Sequence, residues 1–133
     1  MKFLVDTSVM IDVLAGNPAA VAWYQHYRNS PLFVSALSLV EMETGFHQIR
    51  DPAPQRRALA TLLRRIKPLP FGIDEAREAG RIIAKLGLGG KQTGYTDSLL
   101  AAQAKRGGLT IATSNKADFV KIPGLKVFPV SKK

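Results

Sequence analysis

The chain has 133 residues, of which 46% are hydrophobic, and it contains no cysteine. This length and composition suit one folded domain and argue against disorder, while the missing cysteines exclude disulfides and thiolate-ligated metals. Nineteen lysines and arginines against ten acidic residues give a net charge of +9, which suits a polyanionic partner such as nucleic acid but is equally compatible with a purely solubilising role. Because no apolar run approaches the roughly 18 residues of a membrane helix, we expect a soluble, cytoplasmic protein without a membrane partner.

The amino-terminal segment predicts a strand that ends in a carboxylate. Residues 3–5 are apolar and typical of a short buried strand. Thr7 and Ser8 follow as predicted N-caps of a helix. Asp6 would then lie where a strand gives way to a helix, which is where open α/β sheets bind ligands. Asp6 can equally serve only to cap the turn, and this segment alone does not separate the two roles.

The middle of the chain continues with alternating predicted strands and helices. Residues 32–34 predict a second strand, and the helix that follows begins at Ser35 or Ser38 and carries Glu41. Residues 55–66 predict a strongly amphipathic helix, whose four arginines outside the apolar face form a candidate phosphate-contacting patch. A helix over residues 19–28 carries three aromatic side chains, which we expect to lie in the core or an interface: Trp23, Tyr24 and Tyr27.

The second half shows the same alternation. Asp74 is predicted to cap a helix that ends at Gly87, and a glycine-rich, mobile loop is predicted over residues 87–94. A further helix over residues 98–105 precedes two strands, which we place at 109–113 and 126–130. Strands that alternate with helices at this spacing predict one α/β domain, with a central, mostly parallel β-sheet flanked by α-helices.

Several acidic residues fall near predicted strand-to-helix junctions or first helical turns. These are Asp6, Glu41 and Asp97, and Asn115 and Asp118 follow the strand at 109–113. In a parallel sheet such positions can converge on one edge. Each also has a purely structural explanation: Glu41 fits a capping box with Ser38, Asp97 suits the positive end of a helix dipole, and Asp118 suits a surface turn.

A cluster of these acids would call for a cation, because carboxylates repel one another unless their charge is neutralised. Mg²⁺ and Mn²⁺ prefer oxygen ligands, so either ion suits such a cluster. Zinc does not, because His26 and His47 lack ligand-like spacing and the chain has no cysteine.

Four segments resemble motifs of the PIN-domain ribonucleases, especially the small VapC-type toxins of toxin–antitoxin pairs. They are FLVDTSV at residues 3–9, LVEMETG at 39–45, DSLLAA at 97–102 and ATSNKADF at 112–119. They occur in the family's order and spacing across almost the whole chain, so the resemblance implies a single PIN domain over residues 1–133. Each motif alone has low specificity, but the four motifs together, in the family's order and spacing, are specific for the family.

The resemblance also implies roles for individual residues. Asp6, Glu41 and Asp97 would bind the metal, and Asn115 or Asp118 would complete the catalytic site. Asn115 stands where the family usually has an acidic residue or an asparagine, so a fourth direct carboxylate ligand is not assured. Hydroxyl groups that hold these carboxylates are expected from Thr7 and Thr113, and a phosphate contact to RNA from Lys116.

The implied activity is hydrolysis of RNA phosphodiester bonds by an endoribonuclease that uses Mg²⁺ or Mn²⁺. The family further implies neutralisation by a VapB-type antitoxin and a homodimer. We expect the antitoxin to dock on an exposed aromatic region around Trp23, Tyr24 and Tyr27, together with the helix that follows Glu41.

Two other functions are compatible with parts of the sequence. A phosphatase of the haloacid-dehalogenase type would use Asp6 as a nucleophile, but it normally needs a second Asp two residues later, where this chain has Ser8. The alternative we retain is a catalytically silent RNA-binding PIN-like module. A nuclease should stop cleaving RNA in EDTA, whereas a pure binding module should keep its affinity for RNA.

Overall fold

The computed structural model describes residues 1–87 and 94–130. Within this part of the chain it contains five β-strands, six α-helices and one short 3₁₀ helix. In chain order these are β1 (Phe3–Val5), α1 (Thr7–Leu14), α2 (Pro18–Tyr27), β2 (Leu32–Ser35), α3 (Ala36–Phe46), α4 (Ala53–Leu62), β3 (Ile66–Leu69), α5 (Ile73–Leu86), α6 (Tyr95–Gly107), β4 (Thr110–Thr113), the 3₁₀ helix Lys116–Asp118, and β5 (Val127–Pro129).

The strands form one parallel sheet in the order β3-β2-β1-β4-β5. The chain moves outward from β1 to β3 and then returns to the other side of β1 with β4, where Val5 pairs with Ala112. The direction of winding therefore reverses between β1 and β4, and ligands of such sheets bind outside the carboxyl ends of the strands at this point. The predicted α/β fold with a mostly parallel sheet is confirmed.

Apolar layers cover both faces of the sheet. Phe3 and Val5 point into a core shared with α1, α2, α3 and α4, whereas Leu4 points into a second core shared with α5 and α6. Successive side chains of a strand alternate between faces, and both faces here are buried. This explains why β1 is an uninterrupted apolar run instead of an alternating one.

An aromatic cluster fills the core around the start of β1. The Phe3 ring makes edge contacts with Trp23, Tyr27 and Phe128, at centroid distances of 5.4, 5.0 and 5.6 Å. Trp23 is 6% exposed, so the prediction of a core role for this residue is confirmed. The expected exposure of Trp23 is wrong, while Tyr24 and Tyr27 are half-buried against the same core, and the place where an antitoxin docks stays a prediction.

The structure corrects the predicted helix over residues 55–66. Helix α4 ends at Leu62, and the buried Ile66 begins β3, which pairs with β2. Ile66 continues the helical spacing of apolar residues, but its pairing with the sheet overrides that pattern. Pro68 is tolerated in β3 because this strand lies at the edge of the sheet.

Helix starts also differ from the sequence prediction. The Asp6 carboxylate caps α1, not Thr7 or Ser8, and Gly72 occupies the N-cap of α5, which leaves Asp74 in the first turn. Helix α6 begins at Tyr95, three residues before the predicted start. Gly87 ends α5 in the left-handed conformation with φ of 67°, as predicted, while residues 88–93 of the glycine-rich loop lie outside the described residues. In the described part of the chain, the helices are too short or too polar to cross a membrane.

Candidate active site

A cavity of about 290 Å³ lies beyond the ends of β1 and β4, where the order of the strands reverses. Its walls contain four carboxylates, from Asp6, Glu41, Asp97 and Asp118. Other polar groups in the walls come from Thr7, Ser8, Thr96 and Asn115, and Ile11 and Leu100 supply the apolar part. The structure thus brings together the predicted metal-binding residues and both candidates for the fourth position.

Asp6 is buried at the end of β1 and is held by three donors. Its Oδ1 accepts the backbone N–H of Thr7 at 2.8 Å, and its Oδ2 accepts the hydroxyls of Thr113 at 2.8 Å and Ser8 at 3.0 Å. Burial raises the pKa of Asp6 above its usual 3.8, as does the nearby charge of Asp118, although these hydrogen bonds oppose the increase. Asp6 therefore caps the helix and also lines the cavity, so its capping role does not prevent it from binding a ligand.

Glu41 reaches the cavity from α3. Ser35 begins this helix by accepting the N–H of Leu37 at 3.1 Å, so Glu41 lies in the second turn, one turn further along than predicted. The prediction of a capping box between Ser38 and Glu41 is therefore wrong. The Thr7 hydroxyl instead donates to Glu41 Oε1 at 2.9 Å, across two elements of the fold. Thr7 thus links the α3 carboxylate to the end of β1.

Asp97 lies in the first turn of α6, and its carboxyl group is strongly perturbed. Burial raises the pKa of Asp97 from 3.8 to about 6, and the charges of Asp118 and Asp6 add to the increase. Lys121 opposes this effect with its positive charge. A carboxyl group whose pKa is raised by neighbouring carboxylates is typical of functional sites.

The segment after β4 supplies the remaining wall. Thr113 is fully buried, and its Oγ1 accepts the backbone N–H of Asn115 at 2.9 Å while donating to Asp6. Asn115 and Asp118 are exposed and line the cavity from opposite ends of this short turn. Lys116 lies between them on the exposed side and does not line the cavity.

Sequence reasoning missed three residues near the cavity. Ser8, which the sequence suggests as a helix cap, binds both Asp6 and the backbone N–H of Ser114. Its position two residues after Asp6 is the signal that was available. Ser114 is adjacent to Asn115, and Lys121 is three residues after Asp118, but nothing in the sequence shows that Ser114 binds Asp12 or that the charge of Lys121 acts on Asp97.

The donor set of this cavity suits a hard divalent cation. In the described part of the chain, no three acidic or histidine side chains lie close enough together to hold one metal ion in the positions that they occupy. The four carboxylates nevertheless share one cavity. Burial raises the pKa values of Asp6 and Asp97, and the charges of neighbouring carboxylates add to the increase, so a cation would relieve a repulsion that is present. An all-oxygen donor set is the chemistry that Mg²⁺ and Mn²⁺ prefer.

A second, mostly apolar cavity of about 370 Å³ adjoins the first. It lies between α1 and α3 and is lined by Leu14, Met42 and Phe46, among others. Ile11 and Glu41 belong to the walls of both cavities. The carboxylate cavity therefore continues directly into an apolar surface.

The sequence matches the PIN domain family over residues 3–125. Ribonuclease VapC1 of Rickettsia felis is 32% identical over 137 residues, covering 100% of this chain and 99% of that protein. The tRNA(fMet)-specific endonuclease VapC of Shigella flexneri is 27% identical over 126 residues, covering 95% and 96%. A chain in the crystal structure of DNA-bound VapBC from Salmonella typhimurium has the same fold, with a TM-score of 0.86 at 24% identity, covering 98% of this chain and 99% of that one.

The chain, whose parallel sheet carries a carboxylate-lined cavity at its switch point, belongs to the PIN domain family. Within that family, the chain belongs to the VapC ribonucleases.

Proposed function

We propose that this protein is a VapC-type endoribonuclease toxin, which hydrolyses RNA phosphodiester bonds with the help of Mg²⁺ or Mn²⁺. The observation that carries the proposal is the convergence of Asp6, Glu41, Asp97 and Asp118 on one cavity. The names of the ribonuclease relatives and the net charge of +9 support an RNA substrate. PIN-domain VapC nucleases generally depend on divalent metal ions, which agrees with the donor set.

In this proposal Asp6, Glu41 and Asp97 hold the metal ion. When bound, the metal makes a water easier to deprotonate and stabilises the charge that develops on the phosphoryl group. Asp118 is our choice for the fourth carboxylate, because its charge acts on both Asp6 and Asp97. Asn115 offers a neutral oxygen or an N–H donor at the same cavity, and it would orient a water or the substrate.

Thr113 and Thr7 are assigned to orient the carboxylates. Their hydroxyls bind Asp6 Oδ2 and Glu41 Oε1, so one oxygen of each carboxylate is fixed before a cation arrives. Residues that hold metal ligands in this way typically change metal affinity or activity about 10- to 100-fold when they are replaced.

Lysines beside the cavity are the proposed contacts to the RNA backbone. Lys116 lies on the exposed side of the turn that carries Asn115 and Asp118, and the charge of Lys121 acts on Asp97. Contacts of this kind bring RNA to the site without reading its sequence, so binding should weaken as salt increases.

We further propose that a VapB-type antitoxin binds this protein and covers this edge of the domain. Its structural relatives include VapBC complexes, which supports such a partner. The apolar cavity between α1 and α3, which includes the helix surface after Glu41, offers such a partner a surface beside the carboxylates. We prefer this location to the aromatic region of α2, because Trp23 is buried and Tyr24 and Tyr27 are half-buried. The homodimer, the single-domain boundaries 1–133 and a cytoplasmic location remain part of the proposal.

The second candidate is the catalytically silent RNA-binding module. Two observations favour it: Asn115 stands at the position expected to complete the site, and the described carboxylates form no ready-made metal group. Metal dependence separates the two functions, because only a nuclease requires the cation.

The test is cleavage of total cellular RNA and of a transfer RNA pool by the purified protein in Mg²⁺, Mn²⁺ or EDTA. Asp6→Asn and Asp97→Asn are assayed beside the wild type. We expect discrete products from the wild type with metal, and none from either variant or in EDTA. RNA affinity should persist in both variants, since they only remove negative charge from the site.

Two results would change the conclusion. Cleavage that persists in EDTA, or in both variants, would remove the proposed site. Tight RNA binding without cleavage, by protein shown to be free of any co-purified partner, would establish the silent module instead.

A further inference from the structure

We infer that Asp12 is a positioning residue, which acts through Ser114 to hold the turn that carries Asn115 and Asp118 at the edge of the cavity. The Ser114 hydroxyl donates to Asp12 Oδ2 at 3.1 Å, across 102 residues of sequence. Neither residue lines the cavity, and neither belongs to the residues assigned to the metal or the RNA. The catalytic consequence of this inference rests on the proposed nuclease activity.

Helix α1 binds Ser114 at two points. Ser8 and Asp12 are four residues apart on this helix, so their side chains share one face, a single turn apart. Ser8 Oγ accepts the backbone N–H of Ser114 at 3.3 Å, and Asp12 accepts its hydroxyl. The backbone N–H and the hydroxyl of Ser114 are therefore both fixed by the same helix, which sets the position of the main chain as it leaves β4.

Two chains of hydrogen bonds, each passing through one side-chain hydroxyl, connect the turn to Asp6. The N–H of Ser114 donates to Ser8, whose hydroxyl donates to Asp6 Oδ2 at 3.0 Å. The N–H of Asn115 donates to Thr113, whose hydroxyl donates to the same oxygen at 2.8 Å. Hydrogen bonds in such a chain polarise one another. A shift of Ser114 therefore disturbs the orientation of Asp6 as well as the positions of Asn115 and Asp118.

Asp12 lies outside the walls of the carboxylate cavity. It is partly exposed, while Ser114 and Thr113 are buried. Its side chain can therefore be replaced without opening the core, and alanine is a better helix former than aspartate. If Asp12 had only a structural role, its replacement would lower stability and leave the organisation of the cavity unchanged.

The first measurement is amide hydrogen exchange in the metal-free protein, comparing the wild type with Asp12→Ala. We expect exchange at the Ser114 amide to become about tenfold faster, because loss of one hydrogen bond to a charged group corresponds to roughly that factor. The Asp6 amide, which donates to Ala112 at 2.9 Å in the sheet, is the internal reference and should be unchanged. Asp74→Ala removes the same charge from an exposed position and should change neither amide.

The second measurement is RNA cleavage as a function of metal and RNA concentration. We expect Asp12→Ala to lower kcat and to raise the half-saturating Mn²⁺ concentration about 10- to 100-fold, with KM for RNA within about twofold. Asp12→Asn keeps an acceptor oxygen and should recover most of this loss. In a Ser114→Ala background, Asp12→Ala should have no further effect, because Asp12 acts through that hydroxyl.

The inference is overturned if Asp12→Ala leaves the Ser114 amide unchanged, or if its effects add fully to those of Ser114→Ala. Failure of the proposed nuclease activity would give a different experimental result. A wild type that does not cleave RNA would remove the nuclease, while hydrogen exchange and Mn²⁺ binding would still show whether Asp12 positions the turn.

Discussion

Phe3 begins β1 and Asp6 follows its last residue, yet these two side chains lie in opposite kinds of surroundings. Phe3 is completely buried among the rings of Trp23, Tyr27 and Phe128. Asp6 is 8% exposed, is surrounded by polar donors, and faces a cavity with three further carboxylates. The aromatic end of β1 contributes hydrophobic and edge-to-face stabilisation. At the acidic end, burial and neighbouring charges raise the pKa values of Asp6 and Asp97, so these two carboxylates destabilise the metal-free fold at neutral pH.

This difference places the residues that stabilise the fold and the residues proposed to act in cleavage at opposite ends of β1. One strand of three residues spans the distance between a core cluster and a polar cavity. Substitutions at the aromatic end should change the free energy of unfolding, and substitutions at the acidic end should change cleavage. Four experiments test whether the two ends can be separated in this way.

The largest effect is expected for Asp97→Asn. Cleavage should fall by more than the roughly 100-fold that follows loss of a residue that only orients a metal ligand. At pH 7 the melting temperature of the metal-free variant should equal or exceed that of the wild type, because a repelled charge is removed. Asp74→Asn, at the matching first turn of α5, is the control and should keep full activity. A variant that loses activity only because it unfolds would contradict the assignment.

Phe3→Ala should have the next largest effect, on stability. Removing a fully buried phenylalanine destabilises a core by about 3–5 kcal/mol, and this ring contacts three others. Urea unfolding measures the loss, with Phe3→Leu as the conservative control. Below the unfolding transition, the activity per folded molecule should stay within a few-fold of the wild type. A hundredfold loss in a sample that is still folded would mean that the two ends are coupled.

Thr113→Val should reduce cleavage by about 10- to 100-fold, since valine keeps the shape of threonine but removes a donor from Asp6. It also leaves the Asn115 N–H without its acceptor, so stability should fall by about 1–3 kcal/mol. Thr110→Val makes the same change at the start of β4 and is the matched control. Equal effects of the two substitutions on activity would show that the hydroxyl of Thr113 has no special role.

The smallest effect is expected in the dependence of the melting temperature on pH. The pKa of Asp97 is about 6 in the folded protein against 3.8, so its protonated form is favoured by folding. The stability that this group contributes is fully present below about pH 3.8 and is lost as the pH rises through 6. The melting temperature of the metal-free wild type, relative to Asp97→Asn, should therefore fall by at most a few degrees between pH 4 and 7. Saturating Mn²⁺ should remove this difference, and a difference that stays constant with pH would contradict the assigned pKa.

The sequence by itself determined most of the fold and which carboxylates line the cavity. Apolar runs and capping residues located the strands and most of the helices, because burial and backbone hydrogen bonding leave local periodic patterns. The four family motifs picked out Asp6, Glu41, Asp97, Asn115 and Asp118, and all of these line one cavity. Ile66 was misplaced because helical spacing continued past the true end of α4, while the preference for β3 came from pairing with a distant strand.

Only the tertiary structure decided how the site is held together. The bonds from Thr7 to Glu41, from Thr113 to Asp6 and from Ser114 to Asp12 join residues 34, 107 and 102 positions apart. A sequence pattern records which side chains repeat along one element, and it carries no record of which hydroxyl meets which carboxylate between elements. The raised pKa of Asp97 is of the same kind, because burial and the charges of Asp118 and Asp6 act through space once the chain has folded.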